Sequence, residues 1–217
     1  MGMTSKRMGL TRDKVLRAAL EVADRDGVEK LSMRRLGAEL GVEAMTLYHY
    51  LPNKAALLDG LVELVVSGVR PSFDGPVDEW PLRLKEFAAA FRAELLRHTG
   101  VIALVATRPV RSPAALHAVE DTAAALGRAG IAPVEAMRIV NSVTTLVIGH
   151  CLAEAADTPG HPEQPTDDAF ALTAFPTLTE AVAGGLGTPA DHQARFDLAL
   201  DALLAGLRDA IAKTTPM

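Results

Sequence analysis

Gly41 stands at the hinge between two short helical runs, and that hinge limits the fold sharply. Ser32 can cap the first run, with Leu31 before the cap and Leu36 four residues into the helix forming a hydrophobic staple. Gly41 follows Leu40 and can take the left-handed conformation that ends a helix. The second run extends from about Ala44 to Tyr50, where Pro52 forbids easy continuation. Two short helices about Leu40-Gly41-Val42 make a helix-turn-helix arrangement. Ahead of it, Thr11 caps a helix with Asp13 in its first turn, an apolar face of Leu16, Ala19, Leu20 and Ala23, and a stop at Gly27. Behind it, Asn53 caps a fourth, amphipathic helix over about 54–68 bearing Leu57, Leu58, Leu61, Val62 and Val65.

The remainder reads as helix throughout. Hydrophobic residues make up 49% of the chain and aromatic ones 4%, with Ala, Leu, Glu and Arg abundant and strand-favouring clusters scarce. The expected fold is all-α. A three-helix helix-turn-helix domain at 1–53 leads through the connecting helix into a larger helical domain at 54–217. Pro71 to Pro76 breaks the pattern after the connecting helix. Long helices are expected at about 79–98, 112–129, 133–156 and 190–212, with shorter ones at 101–107 and near 168–183. Ser112-Pro113, Gly130 and Pro133 supply helix boundaries, and Asp157 to Asp168, rich in Pro, Gly and acids, reads as a mobile loop.

Charge is distributed unevenly. The whole chain carries −5, yet residues 1–54 hold ten Lys/Arg against seven Asp/Glu, a net +3, which leaves −8 for the rest. A basic head on an acidic body presents one surface to a polyanion and turns the remainder away from it. The single cysteine, Cys151, excludes an intramolecular disulfide and fits a reducing cytoplasm. No continuous apolar segment follows the basic N-terminal residues, and the longest apolar run, Val101 to Ala106, is too short to span a membrane. A soluble cytoplasmic protein with no membrane partner is expected.

In order, Gly27-Val28-Glu29-Lys30-Leu31-Ser32-Met33-Arg34-Arg35-Leu36, Leu40-Gly41-Val42, Thr46-Leu47-Tyr48-His49-Tyr50, Asn53-Lys54 and Leu57-Leu58 form an ordered set. It resembles the DNA-binding domain of the TetR family of bacterial regulators. The resemblance implies a DNA-reading head joined to a helical domain for ligand binding and dimerisation. Physics assigns roles alongside it. A helix in the major groove turns apolar residues to its own domain and polar ones to base edges. Val42 and Leu47 suit the inner set, leaving Ala44, Met45, Thr46, Tyr48 and His49 outward. Arg34 can reach a guanine edge through its bidentate fork, and the resemblance puts a base contact there. Thr46, Tyr48, Tyr50 and Lys54 look like the family's backbone-contacting positions. His49 joins this DNA-binding set. Tyr50 serves equally well as packing for the small domain; the alternative for Arg34 or Arg35 is a solvated face, with Arg34 favoured for DNA on its motif position.

Trp80, Phe91-Arg92, Leu95-Leu96-Arg97 and Thr107-Arg108-Pro109 are similar to the tetracycline-repressor branch. In that alignment the branch's drug-contacting asparagine falls at Phe87 and its metal-ligating histidine at Leu104. Both polar anchors are apolar here, so neither tetracycline with its magnesium ion nor any required metal or cofactor is expected. A largely apolar effector pocket is expected instead. Phe87, Phe91 and Leu95 form one helical stripe, Leu104 lies on the next short helix, and Met137, Asn141 and Thr144, with Thr145, add sparse polar groups. The same stripe also suits an ordinary core.

His49, His98, His117, His150, His161 and His192 show no close metal-ligand spacing. Ile139, Val140, Val143, Leu146 and Val147, with Phe196, Leu198, Leu200, Leu203, Leu204 and Leu207, wrap more than one face of their helices. Small residues Ala199, Ala202, Ala205 and Gly206 permit close approach, so a two-fold four-helix dimer interface is expected. With these features, the resemblance implies a homodimeric repressor that binds near-palindromic double-stranded operator DNA and releases it on binding an unidentified small, largely apolar effector. The alternatives are a ligand-independent DNA-binding regulator or activator, and an enzyme using the helical cavity. No nucleophile with its base, carboxylate pair or phosphate loop supports the enzyme.

Overall fold

The computed structural model describes residues 9–69, 76–155 and 174–214. Ten α-helices occur among these residues: α1 Arg12–Asp26, α2 Met33–Leu40, α3 Ala44–Leu47, α4 Lys54–Gly68, α5 Trp80–Arg97, α6 Ile102–Thr107, α7 Pro113–Arg128, α8 Pro133–Ala155, α9 Pro176–Ala183 and α10 Pro189–Thr214. Short 3-10 turns at Val28–Lys30, Val77–Glu79 and Thr99–Val101 join some of them. The described residues contain no strand, in keeping with the all-α expectation. The expected loop Asp157 to Asp168, the start of the expected helix near 168–183 and most of the Pro71 to Pro76 break lie outside the described residues.

The helix boundaries follow local chemistry. The side chains of Thr11, Ser32 and Asn53 accept hydrogen bonds from the backbone N–H groups of Lys14, Arg35 and Ala56 at 3.2, 3.2 and 2.8 Å. Each satisfies an otherwise orphaned donor in a first helical turn. Gly41 ends α2 at φ 65°, ψ 31°, the left-handed region that glycine enters without a Cβ penalty. One expected boundary moved: α3 stops at Leu47 rather than near Tyr50. His49 N–H bonds to the Thr46 carbonyl at 3.3 Å and Tyr50 N–H to the Leu47 carbonyl at 2.9 Å. These three-residue spacings tighten the last turn before Leu51-Pro52 leaves the helix.

Packing divides the chain into two compact units. One joins residues 9–69 to 90–122; the other joins 76–89 to 123–155 and 174–214. This grouping does not follow a linear division at 53, because the second half of α5, α6 and much of α7 pack with the first four helices. In the first unit, Val15, Leu16, Ala19, Leu31, Leu36, Leu47, Leu57, Leu61 and Val65 are buried around α1. A Cβ on Gly60 of α4 would meet Leu16 Cδ2 at 2.5 Å, so α1 and α4 approach closely where glycine leaves room.

In the second unit, α8 packs against α10, burying Ile139, Val143, Val147 and Cys151 with Phe196, Leu200 and Leu204. His150 Nε2–H donates to the His192 carbonyl at 3.0 Å, and its ring stands edge-on to Phe196 at 5.3 Å. Lys85 on α5 pairs with Asp201 on α10 at 2.6 Å. At 23 residues, with a mean hydropathy of 1.3 over its most apolar stretch, α8 is long and apolar enough to cross a membrane. Continuous apolar runs do not reveal this, because Asn141, Ser142, Thr144 and Thr145 interrupt the sequence without making the helix polar on average. Its buried stripe against α10 is that of a helix inside a packed unit.

Candidate DNA interface and effector region

The outward face of the head follows from two anchors. Leu36 on α2 and Leu47 on α3 are both fully buried, which fixes how each helix is rotated about its axis. Arg34 is therefore exposed, and it makes no ion pair among the described residues. Arg35, one residue and about 100° further round the helix, turns back onto α1, where its Nη2 donates to Asp26 at 2.7 Å. Asp26 also accepts from Arg25 Nε at 3.0 Å, while both terminal nitrogens of Arg25 donate to Glu39 of α2 at 3.1 Å. That paired geometry raises the Arg25 pKa and holds the Glu39 carboxyl below its ordinary value, in each case chiefly through the hydrogen bond between them. The four charges clamp α2 to the end of α1, with Arg35 drawn into the clamp and Arg34 left exposed.

Sequence reasoning favours Arg34 for DNA on its motif position alone; it does not reveal the ion pair of Arg35, because the partner Asp26 lies on another helix. It also passed over Gly37. A Cβ there would lie 2.8 Å from the Val42 carbonyl oxygen and 3.1 Å from Ala44 N, backbone atoms that cannot yield. The turn thus folds tightly back on α2, with Val42 N–H bonded to the Gly37 carbonyl at 2.9 Å.

Around α3, His49 is exposed, Tyr48 keeps 42% of its surface accessible, and Thr46 and Tyr50 are half-buried. Tyr50 therefore divides its surface between packing and solvent. Lys54 is exposed in the first turn of α4, where unpaired backbone N–H groups and the helix dipole favour an anion. Arg34, Tyr48, His49 and Lys54 thus all reach solvent, carried by α2, the α3 region and the start of α4.

The head is tied to the segments that follow α5 within the same compact unit. Arg108, just past α6, pairs with Asp59 on α4, and Arg12 pairs with Glu63 on α4 at 2.9 Å. His98, at the end of α5, bonds Asp24 on α1 at 2.7 Å. A Cβ on Gly100 would sit 2.2 Å from the Ala23 carbonyl oxygen, so the turn at 99–101 lies directly against the end of α1.

The expected effector residues fall in both units. Phe91 and Leu95 are buried and Leu104 is half-buried, all in the first unit. Phe87 and Thr144 are half-buried in the second, where Met137 and Asn141 are exposed on α8. The Thr144 hydroxyl donates to the Val140 carbonyl of its own helix at 3.0 Å. Among the described residues no group of three His, Cys, Asp or Glu is placed to hold a metal ion.

Two family models match. Residues 15–61 match bacterial regulatory proteins of the tetR family, and 74–211, more than half of the chain, match the tetracyclin repressor-like C-terminal domain. The chain belongs to the TetR family. A transcriptional regulator of the helix-turn-helix type from Saccharopolyspora erythraea is 37% identical over 91% of this chain and 84% of its own length. The transcriptional repressor DrrR1 of Streptomyces coeruleorubidus is 29% identical over 94% of this chain and 79% of its own. The crystal structure of the TetR-family protein ActR of Streptomyces coelicolor in complex with actinorhodin superposes with a TM-score of 0.76 at 26% identity, covering 93% of this chain and 98% of that one. TetR-family members are transcription regulators rather than enzymes, which sets aside the helical cavity as a place for chemistry.

Proposed function

We propose that this TetR-family chain is a one-component, ligand-responsive repressor that binds a near-palindromic operator as a homodimer and dissociates when a small, largely apolar molecule binds. The observation that carries the reading is the anchored head: buried Leu36 and Leu47 turn Arg34, Tyr48 and His49 outward, while Arg108 ties the connecting helix to the end of α6. In this reading residues 1–53 read DNA and 54–217 bind effector and dimerise. Arg34 reads a guanine edge; Thr46, Tyr48, His49, Tyr50 and Lys54 complete the DNA contacts.

The dimer face is drawn from what stays exposed. Of the apolar residues on α8 and α10, Ile139, Val140, Val143, Val147, Phe196, Leu200 and Leu204 fill the protomer's own interior. Leu198 is 73% exposed, and Ala202, Ala205 and Gly206 share its exposure on α10; Val134, Gly149 and Leu152 are exposed on α8. To read a near-palindromic site, the two recognition helices of the proposed dimer would sit one turn of B-DNA apart, about 34–36 Å.

The residues proposed to contact effector form two sets, each within its own unit: Phe91, Leu95 and Leu104 in the first, and Phe87, Met137, Asn141 and Thr144 in the second. The apolar character of Phe87 and Leu104 favours a ligand held without a metal or cofactor. A solved relative carries actinorhodin, which supports a small organic effector. Ligand that favours a displaced α6 pulls on Asp59 through Arg108, tilts α4 and changes the spacing of the heads. Shifting a dimer from 99% competent to 99% released requires about a 10⁴-fold preference for the released state. The test is a mobility-shift titration of the full chain on DNA from its own promoter region with candidate compounds: tight ligand binding that leaves DNA affinity unchanged defeats the induction step.

A further inference from the structure

Met45 is the largest apolar side chain left in solvent on the head, 70% exposed. Its position is dictated by α3. Leu47, two residues on, is fully buried, and two residues rotate a helix by about 200°. Met45 therefore stands at the pole opposite the anchor, the part of the helix that enters a groove first. Thr46 and Tyr48 flank Leu47 and lie nearer the domain, half-buried and 42% exposed. A thioether has no hydrogen to donate and accepts only weakly, so Met45 cannot read the donor and acceptor pattern of base edges. The major groove offers one apolar group for it to read, the C5-methyl of thymine. The unbranched side chain, with three rotatable bonds, can adapt its contact to that methyl.

We infer that Met45 is a specificity-determining residue of this head, packing its thioether against the C5-methyl of a thymine in each half of the bound DNA. The inference rests on the DNA-reading function proposed above and deepens it. Covering a methyl group stabilises by about 0.8 kcal/mol, which corresponds to about fourfold in affinity per half-site. A symmetric duplex stripped of both methyls then binds about fifteenfold more weakly.

The experiment uses the full chain. A bound sequence is selected from a random duplex pool, and each thymine is then replaced in turn by deoxyuridine, which removes only the methyl. Wild type is expected to lose about fourfold at one thymine per half-site. Met45→Ala is expected to bind both duplexes equally at that position, and Met45→Leu, which keeps an apolar side chain, to remain sensitive. Because the residue is exposed, unfolding temperatures should match across the three proteins. Enrichment of a defined sequence with no deoxyuridine effect, or with the same effect in Met45→Ala, overturns the assignment alone. Failure to enrich any sequence overturns DNA reading and the assignment with it.

Discussion

The head and the α8–α10 region solve opposite packing problems. Around α1 the large apolar residues are consumed: Leu16, Leu31, Leu36, Leu47, Leu57 and Leu61 are buried, and Met45 is the one aliphatic side chain larger than proline left exposed among the described residues of the head. Along α8 and α10 the protomer buries a full set of apolar residues and still leaves Leu198, Val134 and Leu152 in solvent. A closed core with a polar face can meet a polyanion and leave it, since phosphate contacts are strong, numerous and salt-dependent. An open apolar face is incomplete by itself and calls for a permanent partner. The two surfaces thus differ in kind, and the proposed function assigns reversible contact to the first and lasting contact to the second.

Removing an anchor tests the closed half most severely. Leu47→Ala empties a fully buried site and is expected to cost about 2–5 kcal/mol of stability in denaturant unfolding. It also frees α3 to rotate, so DNA affinity falls with it. Leu198→Glu places a charge on the open half. The dimer dissociation constant is expected to rise about thirtyfold or more in sedimentation, for a loss of about 2 kcal/mol at a central contact, with helical content unchanged. An unchanged dimer would move the interface elsewhere.

Arg34→Ala and Arg35→Ala separate reader from scaffold. The first is expected to cost about 1–3 kcal/mol of binding and relax discrimination at one guanine, with unfolding unaffected. The second loosens the link from α2 to Asp26 and weakens binding without a base-specific signature. Lys54→Ala is expected to weaken binding uniformly across sequences and lower the salt slope by about 1.

The smallest effect concerns the clamp. Arg25 holds the Glu39 carboxyl below its ordinary value, so the pair adds stability above the usual carboxylate range and loses it as pH falls through the lowered value. Wild type is expected to melt slightly above Glu39→Gln at neutral pH, with the difference vanishing in acid.

What was legible in the sequence was local. Thr11, Ser32, Gly41 and Asn53 announce their helix ends because cap and capped group lie within three residues of each other. The features that set the geometry of the interface are distant. Arg35 finds Asp26, Arg108 finds Asp59 and His98 finds Asp24 across 9, 49 and 74 positions, and no periodicity encodes such pairs. Gly37 and Gly100 likewise look like ordinary glycines until the backbone they admit is in place. On α10 the apolar residues were visible as a group, but only packing sorted Phe196 and Leu200 inward from Leu198 outward.

The central claim is that effector binding and DNA binding exclude each other in a dimer. Fluorescence anisotropy of a labelled, selected duplex, titrated with protein at several fixed concentrations of a bound small molecule, measures that coupling directly. The account predicts an apparent DNA dissociation constant that climbs with ligand concentration while the protein remains dimeric. A DNA dissociation constant that stays flat while the ligand saturates its site would contradict it.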